Sequence, residues 1–126
     1  MSTETNNSRD HLYIISNFSA DDPDRVATPL VLANCALAAD SEAVIWLTMD
    51  GVELARKGAA TTLPSKSFAP VAELLDVFIE NGGRIGVCPP CAKSHDLAED
   101  EFISGAEWVG GAALVELASR RQTFNF

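Results

Sequence analysis

The stretch Arg84-Ile85-Gly86-Val87-Cys88-Pro89-Pro90-Cys91-Ala92-Lys93-Ser94-His95 decides both the fold and the chemistry. Ahead of it, Pro70 opens a segment in which Val71, Leu74, Leu75, Phe78 and Ile79 share one helical face while Glu73, Asp76 and Glu80 face water. Asn81-Gly82-Gly83 ends that helix, because glycine takes the left-handed C-terminal conformation without steric penalty. Arg84 to Cys88 is then a strand, in which Gly86 leaves room for a close approach such as a packed helix. Pro89-Pro90 begins a helical turn, since proline suits the first helical positions. Cys88 therefore falls at the carboxyl end of a strand, with Cys91 one turn on.

Working outward, Leu12 to Asn17 and Ala43 to Met49 are nearly continuous apolar runs of strand length, as expected of strands covered on both faces. Between them Asp21-Asp22-Pro23-Asp24 supplies helix-start chemistry. Val26, Leu30, Ala33 and Leu37 follow at helical spacing, widened by Ala27, Val31 and Ala38, so a helix should run to about Asp40. Two such strands joined by one helix imply a parallel pair with a right-handed crossover. From Val52 to Lys66 the pattern weakens to one short helix and a loop.

Beyond the cysteines, Glu99 to Ile103 reads as a helical turn and Ala106 to Val109 as a short strand carrying Trp108. Gly110-Gly111 leads into a helix with Leu114, Val115, Leu117 and Ala118 on its buried side, and Gln122 to Phe126 alternates like a last strand with one half-covered face. The sum is an α/β fold: a single doubly wound, mostly parallel sheet of about five strands with helices on both faces. Residues 1–10 are expected to form a flexible polar tail and residues 11–126 one domain.

Eighteen acidic residues against nine basic ones give a net charge of −9, which repels nucleic-acid backbones and anionic lipid in the absence of a basic patch. The pair Arg120-Arg121 falls near the last turn of the late helix, where cations suit the helix dipole. The polar start from Met1 to Asp10 lacks the apolar core of a signal peptide, and no apolar run approaches the roughly 20 residues needed to span a bilayer. A cytoplasmic location follows as the expectation. Three cysteines in a reducing compartment point away from structural disulfides, so the close pair reads as reactive, redox-active or metal-binding.

In open parallel sheets the working crevice lies beyond the carboxyl ends of the strands. Cys88 sits there, and the free N–H groups and dipole of the turn at Pro89-Pro90 are expected to favour its thiolate, with Lys93 and His95 adding positive charge. Asn17 after the first strand, Asp50 after the second, and Lys93 and His95 are the candidate substrate-binding residues. Cys91 completes a pair with dithiol-redox spacing, but one that follows a third strand, unlike the early pair of a thioredoxin. No metal or cofactor is expected. Zinc would need about four ligands, and Cys88, Cys91 and His95 leave the set incomplete. The turn Ser16-Asn17-Phe18-Ser19-Ala20-Asp21-Asp22-Pro23 has no glycine and two carboxylates where a phosphate of FMN or a dinucleotide would sit. Cys35, inside the first helix among Ala33, Ala36 and Leu37, is expected to be a small buried thiol.

The order of Asp21-Asp22-Pro23-Asp24-Arg25, Asp50-Gly51-Val52 with Lys57-Gly58, Gly82-Gly83, Val87-Cys88-Pro89-Pro90-Cys91-Ala92 and Gly105-Ala106 resembles the DsrE/TusD family of small sulfur-relay proteins, from about Leu12 to Phe126. The resemblance implies a doubly wound sheet and assembly as a homotrimer or hexamer. It also implies that Cys88 accepts sulfane sulfur as a persulfide from a donor protein and passes it to an acceptor protein. Cys91 has no counterpart in the best-understood relay subunit, and His95 stands where arginine is common. Three functions follow as expectations: a persulfide carrier or sulfurtransferase at Cys88, a Cys88–Cys91 dithiol/disulfide protein, or a non-catalytic oligomeric subunit.

Overall fold

The computed structural model describes residues 10–126. Five strands, β1 (His11–Ile15), β2 (Ala43–Leu47), β3 (Arg84–Val87), β4 (Ala106–Trp108) and β5 (Gln122–Asn125), form one sheet in the order β4-β3-β2-β1-β5. Every neighbouring pair is parallel, so the sheet is wholly rather than mostly parallel. Ile15 lies opposite Leu47, Leu47 opposite Val87, and Val87 opposite Trp108, which sets these carboxyl ends flush along one edge. Each of the first three strands stops one or two residues before its apolar run does. The backbone turns away from the ladder at that edge, after a last bond such as Thr48 N–H to the Ile15 carbonyl (3.0 Å).

Four helices connect the strands: α1 (Asp24–Ala38), α2 (Val71–Glu80), α3 (Pro89–Ser94) and α4 (Gly111–Ala118). The weak stretch after β2 forms two 3-10 helices, Met49–Ala55 and Ala59–Thr62, rather than one helix and a loop. The steps from β1 to β4 all run one way across the sheet, so right-handed crossovers place α1, α2 and α3 on one face. The return from β4 to β5 at the far edge places α4 on the other.

The main core lies under α1 and α2, where Tyr13, Ile15, Ile45, Leu47, Ile85 and Val87 meet Val26, Leu30, Ala33, Val71, Leu75 and Phe78. Phe78 is fully buried, which stabilises the fold by roughly 2–3 kcal/mol on area alone. On the opposite face Leu12, Val44 and Val109 are buried, and the Trp46 indole N–H donates to the Val109 carbonyl (2.9 Å). The space left by Gly86 is taken by Val109, whose Cγ2 would lie 2.5 Å from an added Cβ; a side chain fills it, not a helix.

Two expectations need correction. Leu114, Leu117 and Ala118 are only half-buried and Val115 is 68% exposed, because among the described residues no second helix flanks α4 on its face of the sheet. Cys35 is exposed, since it shares the outward row of α1 with Leu32, three residues earlier. Of the tail expected over residues 1–10, residues 1–9 lie outside the described part. Asp10 accepts from the Gln122 amide and, through its side chain, from the Glu42 amide. Arg121 does serve the end of α4, donating to the Leu117 carbonyl while pairing with Glu42.

The turn after β2 is seated directly on β1. A Cβ on Gly51 would fall 2.2 Å from the Ile15 carbonyl oxygen, and both are backbone positions that cannot swing aside. Gly51→Ala is therefore expected to cost about 3 kcal/mol, read as a lowered urea midpoint with unchanged slope. A loss under about 0.5 kcal/mol would mean the turn is free to shift.

Candidate functional site

The site grows from two strand ends. The Cys88 amide still bonds to the Leu47 carbonyl (3.0 Å), so Cys88 is positioned by the β2–β3 ladder. Pro89 and Pro90 occupy the first turn of α3, where their missing amides leave no ladder or helix bond unmade. Cys91 follows one turn on, and both thiols are half-buried and free.

The neighbouring strand end supplies the groups that act on these sulfurs. After β2, Thr48 is extended and Met49 adopts a left-handed conformation, φ 51°, unusual for a residue with a Cβ. That reversal brings the Thr48 hydroxyl to 3.5 Å from Cys91 Sγ and turns the Met49 amide toward the same sulfur. The Thr48 hydroxyl, then the Met49 amide and the Cys88 thiol, hold Cys91 below the ordinary thiol value despite some burial. Burial instead pushes the Cys88 thiol up, against the opposing pull of the Cys91 amide and the Thr48 hydroxyl.

The donors that favour a thiolate thus gather on Cys91 rather than on Cys88. A helix of six residues has a small dipole, and individual donors from the next strand outweigh it.

The expected cations do not reach the sulfurs. His95 ends α3 and its ring bridges two carboxylates, Nδ1 to Glu53 Oε2 at 2.8 Å and Nε2 to Asp50 Oδ1 at 3.2 Å. Arg56 completes the cluster, donating to both Glu53 oxygens, to Glu101 and to the His95 carbonyl. Asp50 and His95 are therefore brought together one turn from the dithiol. Lys93 is exposed and lines a separate hollow with Pro89 and Trp108. Asn17 opens into another, of about 340 Å³, with Asp22, Asp24, Arg25, Thr28 and Phe126; its Oδ1 is buried without a hydrogen-bond partner among the described residues.

Sequence reading missed Thr48, Met49, Glu53 and Arg56. Glu53 and Arg56 carry the one available signal, opposite charges three residues apart. Among the described residues no group of three or more His, Cys, Asp or Glu side chains is placed to hold a metal ion. Among them, too, no helix is long and apolar enough to cross a membrane.

Fold and site together define a class: a parallel α/β layer that carries a dithiol on the carboxyl edge of its sheet. The chain belongs to the DsrE/DsrF-like family, whose model matches residues 10–126. An uncharacterised protein of Methanopyrus kandleri is 38% identical over 85 residues, 67% of this chain and 66% of that protein. One of Methanocaldococcus jannaschii is 25% identical over 111 residues, 88% of this chain and 40% of its own length, so the chain spans less than two thirds of both relatives. In fold it is similar to the ychN protein of E. coli (TM-score 0.77, 12% identity, covering 93% of this chain and 98% of that one). A protein of unknown function from Methanobacterium thermoautotrophicum is similar too (TM-score 0.69, 16% identity, 94% and 99%).

The Arg56 guanidinium first, and then His95, hold the Glu53 carboxyl below the usual glutamate range, against a burial effect that would raise it. A value depressed by folding contributes stability above the ordinary glutamate pKa and loses it as pH falls through the folded value. Glu53→Gln should cost roughly 1–2 kcal/mol near neutral pH. Urea unfolding at several pH values should show that gap closing below about pH 4. A gap constant with pH would assign the loss to packing.

Proposed function

We propose that the chain is a sulfur carrier, in which Cys88 holds sulfane sulfur as a persulfide between a donor protein and an acceptor protein. The observation that carries this reading is a dithiol on the sheet's carboxyl edge in which a neighbouring hydroxyl and amide favour one thiolate. Membership of the DsrE/DsrF-like family supports it. A thiolate attacks the outer sulfur of a donor persulfide, the donor's S–S bond breaks, and the donor leaves as a thiolate. Sulfur is neither oxidised nor reduced overall, so no cofactor is required. Asp50 and His95, beside the dithiol, would meet a docking donor or acceptor; Lys93 and Asn17 would serve only partners that extend beyond that edge. Three free thiols suit a reducing compartment such as the cytoplasm.

Incubation with a persulfide donor should add one sulfur, about 32 Da by intact mass, that does not persist in Cys88→Ser. Absence of any adduct with several donors would remove the carrier reading. A Cys88–Cys91 disulfide formed under mild oxidants, with no sulfur adduct, would favour the dithiol/disulfide alternative instead.

The carrier is further proposed to be a homotrimer or hexamer. Among the described residues Leu114, Leu117 and Ala118 of α4 are only half-buried and Val115 is exposed, and Phe124 on the edge strand β5 is 39% exposed. Light scattering at micromolar concentration should give three or six times the 13.4 kDa chain mass, and Val115→Glu should lower it. A wild-type monomer would count against assembly while leaving the carrier reading intact.

A further inference from the structure

We infer that Cys91 is the entry point for sulfur and Cys88 its resting place, so that the load moves between the two within one chain. The inference rests on the carrier reading and assigns its order of events. Its geometric basis is the asymmetry of the pair. Cys91 Sγ has the Thr48 hydroxyl at 3.5 Å and the Met49 amide turned toward it, and Met49 holds its left-handed backbone where that amide points. Gly51, jammed against the Ile15 carbonyl, fixes the turn from behind. Both cysteines pack against the main core, so the difference between them lies in these donors.

The consequence follows from thiol exchange. The more ionised sulfur attacks first, so Cys91 thiolate takes the outer sulfur of the donor R–S–SH, giving Cys91–S–SH and R–S⁻. Cys88 then loses its proton to R–S⁻ or solvent and attacks that same outer sulfur. The Cys91–S bond breaks, Cys88–S–SH forms, and Cys91 departs as the thiolate that Thr48 and Met49 stabilise. A thiol of lower pKa leaves faster and one of higher pKa is the stronger nucleophile, so transfer runs from Cys91 to Cys88.

The ionisable groups that face Cys91 are Cys88 and His95, which flank its helix, and Asp50 and Glu53 from the 3-10 helix opposite, while Lys93 lies about 200° round the helix. Among them only Cys88 acts on the Cys91 sulfur.

The test uses the full chain, with Cys88→Ser, Cys91→Ser and Thr48→Val. Site-resolved alkylation by limiting iodoacetamide across pH should modify Cys91 on the order of tenfold faster than Cys88 near neutrality. Thr48→Val should move the Cys91 profile to higher pH. With glutathione persulfide as the probe, Cys88→Ser should still load at Cys91 at early times. Cys91→Ser should load on the order of tenfold more slowly, and the wild type should carry its sulfur on Cys88 once loading is complete. Faster alkylation of Cys88, or Cys91→Ser loading at the wild-type rate, overturns the order while the carrier reading stands. A Cys88–Cys91 disulfide with released hydrosulfide overturns Cys88 as the resting place. A wild type that takes no sulfur overturns both readings, whatever the alkylation profile.

Discussion

The seat of the Thr48–Gly51 turn on the carbonyl of Ile15 is the constraint from which the rest of the site follows. Two backbones approach so closely there that only a residue without a Cβ fits at position 51. Within this turn Met49 takes up a conformation that costs of order 1 kcal/mol, although its side chain is 62% exposed and gains little by burial. What the conformation achieves is direction. It sends one hydroxyl and one amide across the β2–β3 boundary to a sulfur more than forty residues away in sequence.

The same segment is held from its far end. Arg56 closes the 3-10 helix that Met49 begins, and binds Glu53, Glu101 and the last carbonyl turn of α3. Glu53 in turn holds the ring of His95. The dithiol helix and the turn that polarises it are therefore clamped together at both ends, and any displacement of α3 must carry the Thr48 turn with it. Positive charge in this region neutralises carboxylates; it does not act on the thiols.

The sheet could be read from the sequence because strands buried on both faces leave uninterrupted apolar runs, and the helices because Val26-Leu30-Ala33 and Val71-Leu75-Phe78 keep their period. The place of Cys88 was legible for the same reason. Which of the two sulfurs the neighbouring donors favour was not: those donors are a hydroxyl at the end of an apolar strand and a main-chain amide, and an amide's direction has no side-chain signature. Lys93 fails as a neighbour of the sulfurs by simple geometry, since two residues on from Cys91 is about 200° around a helix. His95 shares the face of Cys91, but its partner Glu53 lies 42 residues earlier, a distance no local pattern spans. On α4 the apolar stripe is real, and among the described residues it is covered only in part, with Leu114, Leu117 and Ala118 half-buried and Val115 exposed.

Pro89 and Pro90 have a kinetic meaning beyond starting a helix. With two pyrrolidine rings between the sulfurs, the backbone joining them has few conformations to lose when the sulfurs approach. Exchange inside such a frame is first-order, governed by an effective molarity that dilution leaves unchanged, whereas exchange with another protein slows in proportion to its concentration. Scarcity of partners would therefore limit arrival and departure, and never the step between the two thiols.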